Sequence, residues 1–437
     1  MKILIISYSY YPDLNPRAFR WTSIVEYWRR KNYDITVVTT LNQNIISEDE
    51  IEGVEVIRIP ENWFGLFRKK MSSVKTKNDQ KDSYLNNHVM NRFSSFAKNI
   101  LRLIYKLTLR NFQWPDYAWT WIGPTKRKIL ELIKLKGQFD IMISVAHPFS
   151  SHLIARSIKK VSPNTKWIMD NGDPFCFNGV NPNNILLYNR LNRCIEGSCI
   201  NQSDAFSVTT EETKEEYQKI FPHLKDKLTV ISPLLSPEIE KLKKTKATSG
   251  KKDKNSLKMV FVGTLYSEIR NPSEFLRLLD IASKKISKTI EVDFYGTVND
   301  FDTKGLNFKN IQVFFNGYVD RKTAQEKMLE ADVLINIGNQ TSYQLPSKLI
   351  EYASLDKPIL NISSIENDSS KKFLDFYPLS KTINLNHSDK AKLILGLENF
   401  LNKFETYNTK YNHNWLDSYR IENITERYES FFTDKLI

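Results

Sequence analysis

Residues 258–265 read KMVFVGTL, a short apolar run that ends on a glycine. Four more runs of this kind follow: IEVDFYG at 290–296, IQVFFNGYV at 311–319, DVLINIG at 332–338 and PILNIS at 358–363. Between them lie the helix-like stretches PSEFLRLLDIASKKI at 272–286 and RKTAQEKMLEA at 321–331. Short apolar strands alternating with helices of ten to fifteen residues predict a parallel sheet covered on both faces.

The same pattern fills the first half of the chain. KILIISY at 2–8, DITVVTT at 34–40, FDIMISVA at 139–146, KWIMD at 166–170 and AFSVTT at 205–210 read as strands. A helix is expected up to Arg30, another from about Ser150 to Lys160, and a polar helical region before residue 205. The expected class is therefore α/β, with two Rossmann-like parallel-sheet domains facing a cleft. At 437 residues the chain is too long for one core. The expected division is 1–236, a basic linker 237–256, a second domain 257–412, and a last helix 413–437 crossing back to the first domain.

Composition narrows the classes. The chain is 41% hydrophobic and 26% charged, as folded soluble proteins are, and no apolar run reaches the roughly 18–20 residues of a membrane-spanning helix. The start of the sequence reads as a buried strand rather than a signal peptide. Cys176, Cys194 and Cys199 lack metal-ligand spacing and suit a reducing compartment, so a cytoplasmic location and no bound metal are expected.

The net charge of +13 is concentrated in two segments. Residues 241–258 carry net +7 without periodicity and read as an exposed linker. Residues 68–110 carry net +9, and within them Phe93, Phe96, Ile100, Ile104 and Leu107 share one helical face beside Lys98, Arg102, Lys106 and Arg110. A basic amphipathic helix can lie on an anionic membrane surface, and equally it can pack its apolar face on its own domain. Nucleic acid is not an expected partner, since no zinc finger, RNP-like motif or helix-turn-helix accompanies the basic residues.

In parallel sheets ligands bind beyond the carboxyl ends of the strands. In the first half those positions hold Asn15, Arg17 and Arg20, then His147 with Ser150 and Ser151 as expected helix caps, then Asp170 and Asp173. No G-x-G-x-x-G follows the first strand, so no nicotinamide dinucleotide is indicated. In the second half they hold Gly263, Arg270 and a helix start at QLPSK, residues 344–348. A helix N-terminus with Lys348 and Arg270 nearby suits a diphosphate. Glu351, three residues past Lys348, can accept from two ribose hydroxyls, or simply pair with Lys348 at the surface.

These residues carry a resemblance. FVGTLYSEIRNP, FYG, FNGYV, ADVLINIGN and LPSKLIEYASLDKPIL resemble the donor-binding half of family-4 retaining glycosyltransferases of the GT-B fold. YYPDLNPRAFR, FDIMISVAHPFSSHLIA and WIMDNGDPF resemble a bacterial subgroup that builds surface polysaccharides. The resemblance implies transfer of a sugar, with retention, from a nucleotide diphosphate sugar to a lipid-linked or cell-surface glycan acceptor, on a protein peripheral to the inner face of the cell membrane. The nucleotide sugar is then a substrate, and no cofactor is expected.

Glu351 takes the place of the ribose-binding glutamate, Gly263 that of the phosphate-loop glycine, and Gln344, Leu345, Pro346, Ser347 and Lys348 that of the loop around diphosphate and sugar. Tyr318 falls where the base is held, and Asn15 and Arg17 are candidate donor contacts. Arg270 would stabilise the departing diphosphate, while His147 and Asp173 would lie near the anomeric carbon and acceptor hydroxyl, with the acid or base role open between them. The sequence departs from the family at Tyr343, where a glutamate is usual, and at Thr264, where a basic residue is common. Two other readings stay open: a sugar-nucleotide epimerase on the same fold, and a non-catalytic sugar-nucleotide or membrane-binding module.

Overall fold

A computed structural model of the chain describes residues 1–13, 15–41, 48–51, 53–62, 65, 112–178, 183–246, 255–267, 269–299, 305–403 and 414–433. The basic helix expected within 68–110 lies outside the described residues. The chain divides into two compact units, one of 1–208, 217–229 and 429–437, the other of 209–216 and 230–428.

In the first unit the strands are β1 (Lys2–Ser7), β2 (Asp34–Thr40), β3 (Glu48–Ile51), β4 (Val54–Ile59), β5 (Ile141–Ala146), β6 (Lys166–Asn171), β7 (Ala205–Val208) and β8 (Leu228–Val230), which runs one residue into the second. Their order is β3-β4-β2-β1-β5-β6-β7-β8. The pairings from β4 to β7 are parallel, and β3 lies antiparallel on β4 at the edge. Ile3, Leu4, Ile5 and Ile6 are fully buried, because helices cover both faces and leave no polar side for β1 to alternate with. Helix Pro16–Arg30 contributes Trp21, Ile24, Val25 and Trp28 to this core.

The second unit has β9 (Ser256–Val262), β10 (Leu265–Tyr266), β11 (Thr289–Tyr295), β12 (Val298–Asn299), β13 (Ile311–Gly317), β14 (Val333–Ile337), β15 (Ile359–Ser363) and β16 (Ser380–Asn384). Six of them form a parallel sheet in the order β13-β11-β9-β14-β15-β16, the 3-2-1-4-5-6 order of a Rossmann domain. Successive residues of β9 feed opposite cores. Leu257, Met259 and Phe261 pack with helices Ser273–Ser283 and Lys390–Lys403, while Val260 and Val262 pack with Met328, Leu349 and Tyr352. Two Rossmann-like units are the domains of the GT-B fold.

Several local expectations change. β4 was not expected, because Glu55 and Arg58 interrupt its apolar pattern; Arg58 is nonetheless buried and donates to the Tyr11 carbonyl at 3.2 Å. Residues 237–246, read as the start of a linker, form helix Pro237–Lys246, which buries Ile239 among the apolar side chains of the second unit. Ser150 and Ser151 do not cap the helix Ser150–Lys159. Asp116, distant in sequence, accepts from the Ser150 amide at 3.0 Å and from its hydroxyl at 2.7 Å. The terminal stretch is a 3₁₀ turn Asn414–Tyr419 followed by helix Ile421–Glu429, not one continuous helix.

Candidate functional site

In each sheet the strand order reverses at one place, between β1 and β5 in the first unit and between β9 and β14 in the second. Loops leaving such a point in opposite directions open a crevice at the carboxyl edge, which is where ligands bind in these folds.

At the switch point of the second unit, Arg270, from the loop after β10, donates through Nη2 to Asn339 Oδ1 at 2.7 Å and through Nε at 3.2 Å. Asn339 follows β14, so this fork bridges the two diverging loops. Asn339 Nδ2 in turn donates to the Gln344 carbonyl at 3.3 Å, and the Ser369 hydroxyl donates to the same carbonyl at 2.7 Å. The Tyr343 carbonyl accepts from the hydroxyls of Thr210 and Thr213 at 2.7 and 2.8 Å. The loop 343–346 therefore enters helix Ser347–Ala353 already fastened. That helix has seven residues, less than two turns, so it supplies much less of a dipole than the sequence suggested. The positive charge here resides in side chains. Burial pulls the Arg270 guanidinium below its ordinary range.

Three adjacent strands end in glycine at this edge: Gly317 on β13, Gly296 after β11 and Gly263 after β9. Gly296 has φ of +136°, and a Cβ there would fall 2.0 Å from the Gly263 carbonyl oxygen. Only glycine permits that approach. Tyr318, next to Gly317, is 61% exposed and free to meet a flat group.

Glu351 is not the surface residue that a simple pair with Lys348 would require. It is 6% exposed, takes Lys348 Nζ at 2.8 Å on one oxygen and Arg321 Nη2 at 3.4 Å on the other. Its neighbour Tyr352 is fully buried and its hydroxyl accepts from the Val262 amide at 2.8 Å, which ties this helix to the end of β9. Arg321 was missed in the sequence, because it opens helix Arg321–Glu330 and meets Glu351 only across 30 positions. Thr264, which stands where the resembled family commonly has a basic residue, shares a hydroxyl contact with Thr297 at 3.2 Å.

The first unit fills its carboxyl edge with side chains. Asn15 caps helix Pro16–Arg30, its Oδ1 accepting from the amides of Arg17 and Ala18. The Arg17 guanidinium lies over Gly172, within 3.5 Å of Asp173 Oδ2. Asp170 is buried and structural, accepting from Trp21 Nε1 and the Ser207 hydroxyl, both at 2.9 Å. His147 follows β5 beside Tyr117, with ring centres 5.5 Å apart. Tyr117 packs edge-on against Tyr8, whose hydroxyl donates to the buried Glu61 at 2.5 Å.

A further buried carboxylate, Glu196 of helix Ile185–Gln202, accepts from the amides of Phe175 and Cys176 at 3.1 and 2.8 Å and from the Tyr217 hydroxyl at 2.6 Å. It fixes the loop that carries Asp173. Burial raises its pKa, against the lowering pull of those hydrogen bonds. No local signal in the sequence marked it. Among the described residues no group of three His, Cys, Asp or Glu is placed to hold a metal ion.

No protein-family model matches the sequence, and no curated protein sequence does. Solved structures match along the whole chain. The E. coli trehalose-6-phosphate structure bound with UDP-2-fluoro glucose has 12% identity, covers 100% of each chain and gives a TM-score of 0.59. WaaG, a glycosyltransferase involved in lipopolysaccharide biosynthesis, has 10% identity, 99% and 100% coverage and a TM-score of 0.54. The catalytic domain of starch synthase IV from Arabidopsis thaliana, bound to ADP and acarbose, has 9% identity, 98% coverage of each chain and a TM-score of 0.53. At these identities the likeness is one of fold, and function must be argued from the site.

Proposed function

We propose that this protein is a retaining glycosyltransferase of the family-4 type, taking a sugar from a nucleotide diphosphate donor to a lipid-linked or cell-surface glycan acceptor. The observation that carries the reading is the carboxyl edge of the second unit. There bare glycine backbone, the half-buried Arg270 and the doubly paired Glu351 gather around one switch point. In this reading ribose hydroxyls take over one oxygen of Glu351 and release Lys348 toward the diphosphate. Arg270 and Lys348 then stabilise the charge that develops on the leaving group. Tyr318 stacks on the base, and residues 344–348 surround the diphosphate and sugar. Two structures of the same fold carry a UDP-sugar and ADP, which supports a nucleoside diphosphate as the shared ligand.

On the first unit, His147 and Asp173 are the proposed groups at the reacting centre, with Arg17 orienting Asp173 and Asn15 setting the helix that presents Arg17. The protein would work in the cytoplasm, and the basic segment 68–110 would hold it against the anionic inner face of the membrane.

A melting-temperature panel of UDP-, GDP-, dTDP- and CMP-sugars tests the donor site. A ligand at 100 times its Kd adds about 2.7 kcal/mol, a shift of roughly 5 °C or more. One diphosphate series should shift the wild type and neither Glu351→Ala nor Arg270→Ala. No shift with any donor would refute the site. A stabilising donor that is isomerised without an acceptor would assign the epimerase reading, and one that is neither transferred nor changed with any acceptor would assign the binding module.

A further inference from the structure

Helix Ile185–Gln202 has two unlike faces. The inner one buries Asn192, Glu196, Cys199 and Ile200, all within 1% of full burial. The outer one projects Leu186, 96% exposed, Leu187, 57% exposed, and Leu191, 44% exposed. At about 100° per residue the three leucines spread over roughly 140° of the helix surface, with exposed Arg190 between Leu186 and Leu187 and exposed Arg193 flanking Leu186. Phe112, 67% exposed, adjoins this helix, its carbonyl accepting from the Tyr188 hydroxyl at 3.1 Å.

One exposed leucine needs no explanation, but three of them with Phe112 on one side of a helix call for one. Charge decides what this face fits. Residues 174–195 contain two arginines and no aspartate or glutamate. A second copy meeting this face across a two-fold axis would set arginine against arginine, which repels. A lipid surface with anionic headgroups has the complementary arrangement. Leucines enter the acyl boundary while guanidinium groups on flexible stems reach the phosphates. No described helix is long and apolar enough to cross a membrane, so contact of this kind lies along the surface.

We infer that the outer face of helix Ile185–Gln202 docks on an anionic lipid bilayer through Leu186, Leu187 and Leu191, with Arg190 and Arg193 on the headgroups. This is a different surface from the basic segment 68–110, and it does not depend on the donor site.

Cys194 is the one exposed cysteine and lies on this face, so it can carry an environment-sensitive fluorophore. With full-length protein and phosphatidylcholine vesicles containing phosphatidylglycerol, the probe should shift to the blue; with phosphatidylcholine alone it should not. Leu186→Ser/Leu187→Ser/Leu191→Ser should weaken vesicle binding by about a hundredfold. Arg190→Ala/Arg193→Ala should weaken it by about thirtyfold. Both variants should keep the wild-type melting temperature and donor response. The inference is overturned if the protein ignores anionic vesicles, or binds them with a silent probe and equal affinity in the triple variant. It is also overturned if the triple variant melts early, which would mean that the chain covers these leucines itself, or changes oligomeric size, which would mean that a second copy does.

Discussion

The two sheets end differently at their carboxyl edges. In the second unit β9, β11 and β13 run out into Gly263, Gly296 and Gly317, and the edge is bare backbone. In the first unit the corresponding edge is built from side chains: Tyr8 on Glu61, Tyr117 beside His147, and Arg17 over Gly172 and Asp173. A bare edge lets a ligand rich in oxygen approach closely enough to meet main-chain groups. An edge of side chains instead selects by shape and by the groups it presents. In the function proposed above, the bare edge would meet the donor's diphosphate and the edge of side chains the acceptor.

The comparison is broken most severely at Gly296. An alanine there would need a left-handed φ of +136° and a Cβ 2.0 Å from the Gly263 carbonyl oxygen. Neither backbone can yield cheaply, so Gly296→Ala should cost about 3 kcal/mol or more. Thermal unfolding should show it as a fall of roughly 6–12 °C. Gly305→Ala, with nothing within 4 Å of its added Cβ, is the control and should be near neutral. If both melt alike, the bare edge is not tightly built.

The side-chain edge depends on buried polar groups beneath it. His152 is fully buried, its Nδ1 2.8 Å from the Ser144 hydroxyl, which also accepts from Trp167 Nε1 at 2.7 Å. Burial lowers its pKa from 6.5 to about 3. The folded state therefore holds a neutral imidazole where the unfolded chain binds a proton. Stability from this group is present above pH 6.5 and lost as pH falls from 6.5 toward 3. Between pH 8 and pH 5 it accounts for about 2 kcal/mol. Denaturant titrations should show that difference in the wild type and a flatter pH dependence in His152→Gln; equal slopes would show that His152 is protonated in the fold.

What the sequence made legible follows the range of the interactions. Strand–helix alternation is local, so most of both sheets could be read from runs such as KILIIS and KMVFV; β4 escaped because Glu55 and Arg58 interrupt it, and β3 and β16 because they are short and largely polar. Arg270, Lys348 and Glu351 were singled out from loops and a helix start that follow strands, and the structure pairs Lys348 with Glu351 and Arg270 with Asn339. Glu196 and Asp116 were not, because their partners lie 20 to 34 positions away and no spacing rule connects them. Arg321 meets Glu351 across 30 positions for the same reason. Sequence placed the ends of strands well and the groups that hold their loops poorly, since only the fold brings those groups together.

A smaller change in stability than at Gly296 is expected at Gly172. It has an ordinary φ, and a Cβ there would lie 1.1 Å from Arg17 Nη2. The obstacle is the far end of a long side chain, so Gly172→Ala should be absorbed by moving the guanidinium. The Arg17–Asp173 contact, 3.5 Å long with Asp173 42% exposed, contributes at most about 1 kcal/mol. The melting temperature should therefore stay within about 3 °C of the wild type. If the side-chain edge selects and orients as argued, the same substitution should slow sugar transfer about tenfold, because Asp173 loses the cation that holds it. An unchanged transfer rate would place Arg17 and Asp173 outside the reaction and leave the first unit's edge with His147, Tyr8 and Glu61 as its working groups.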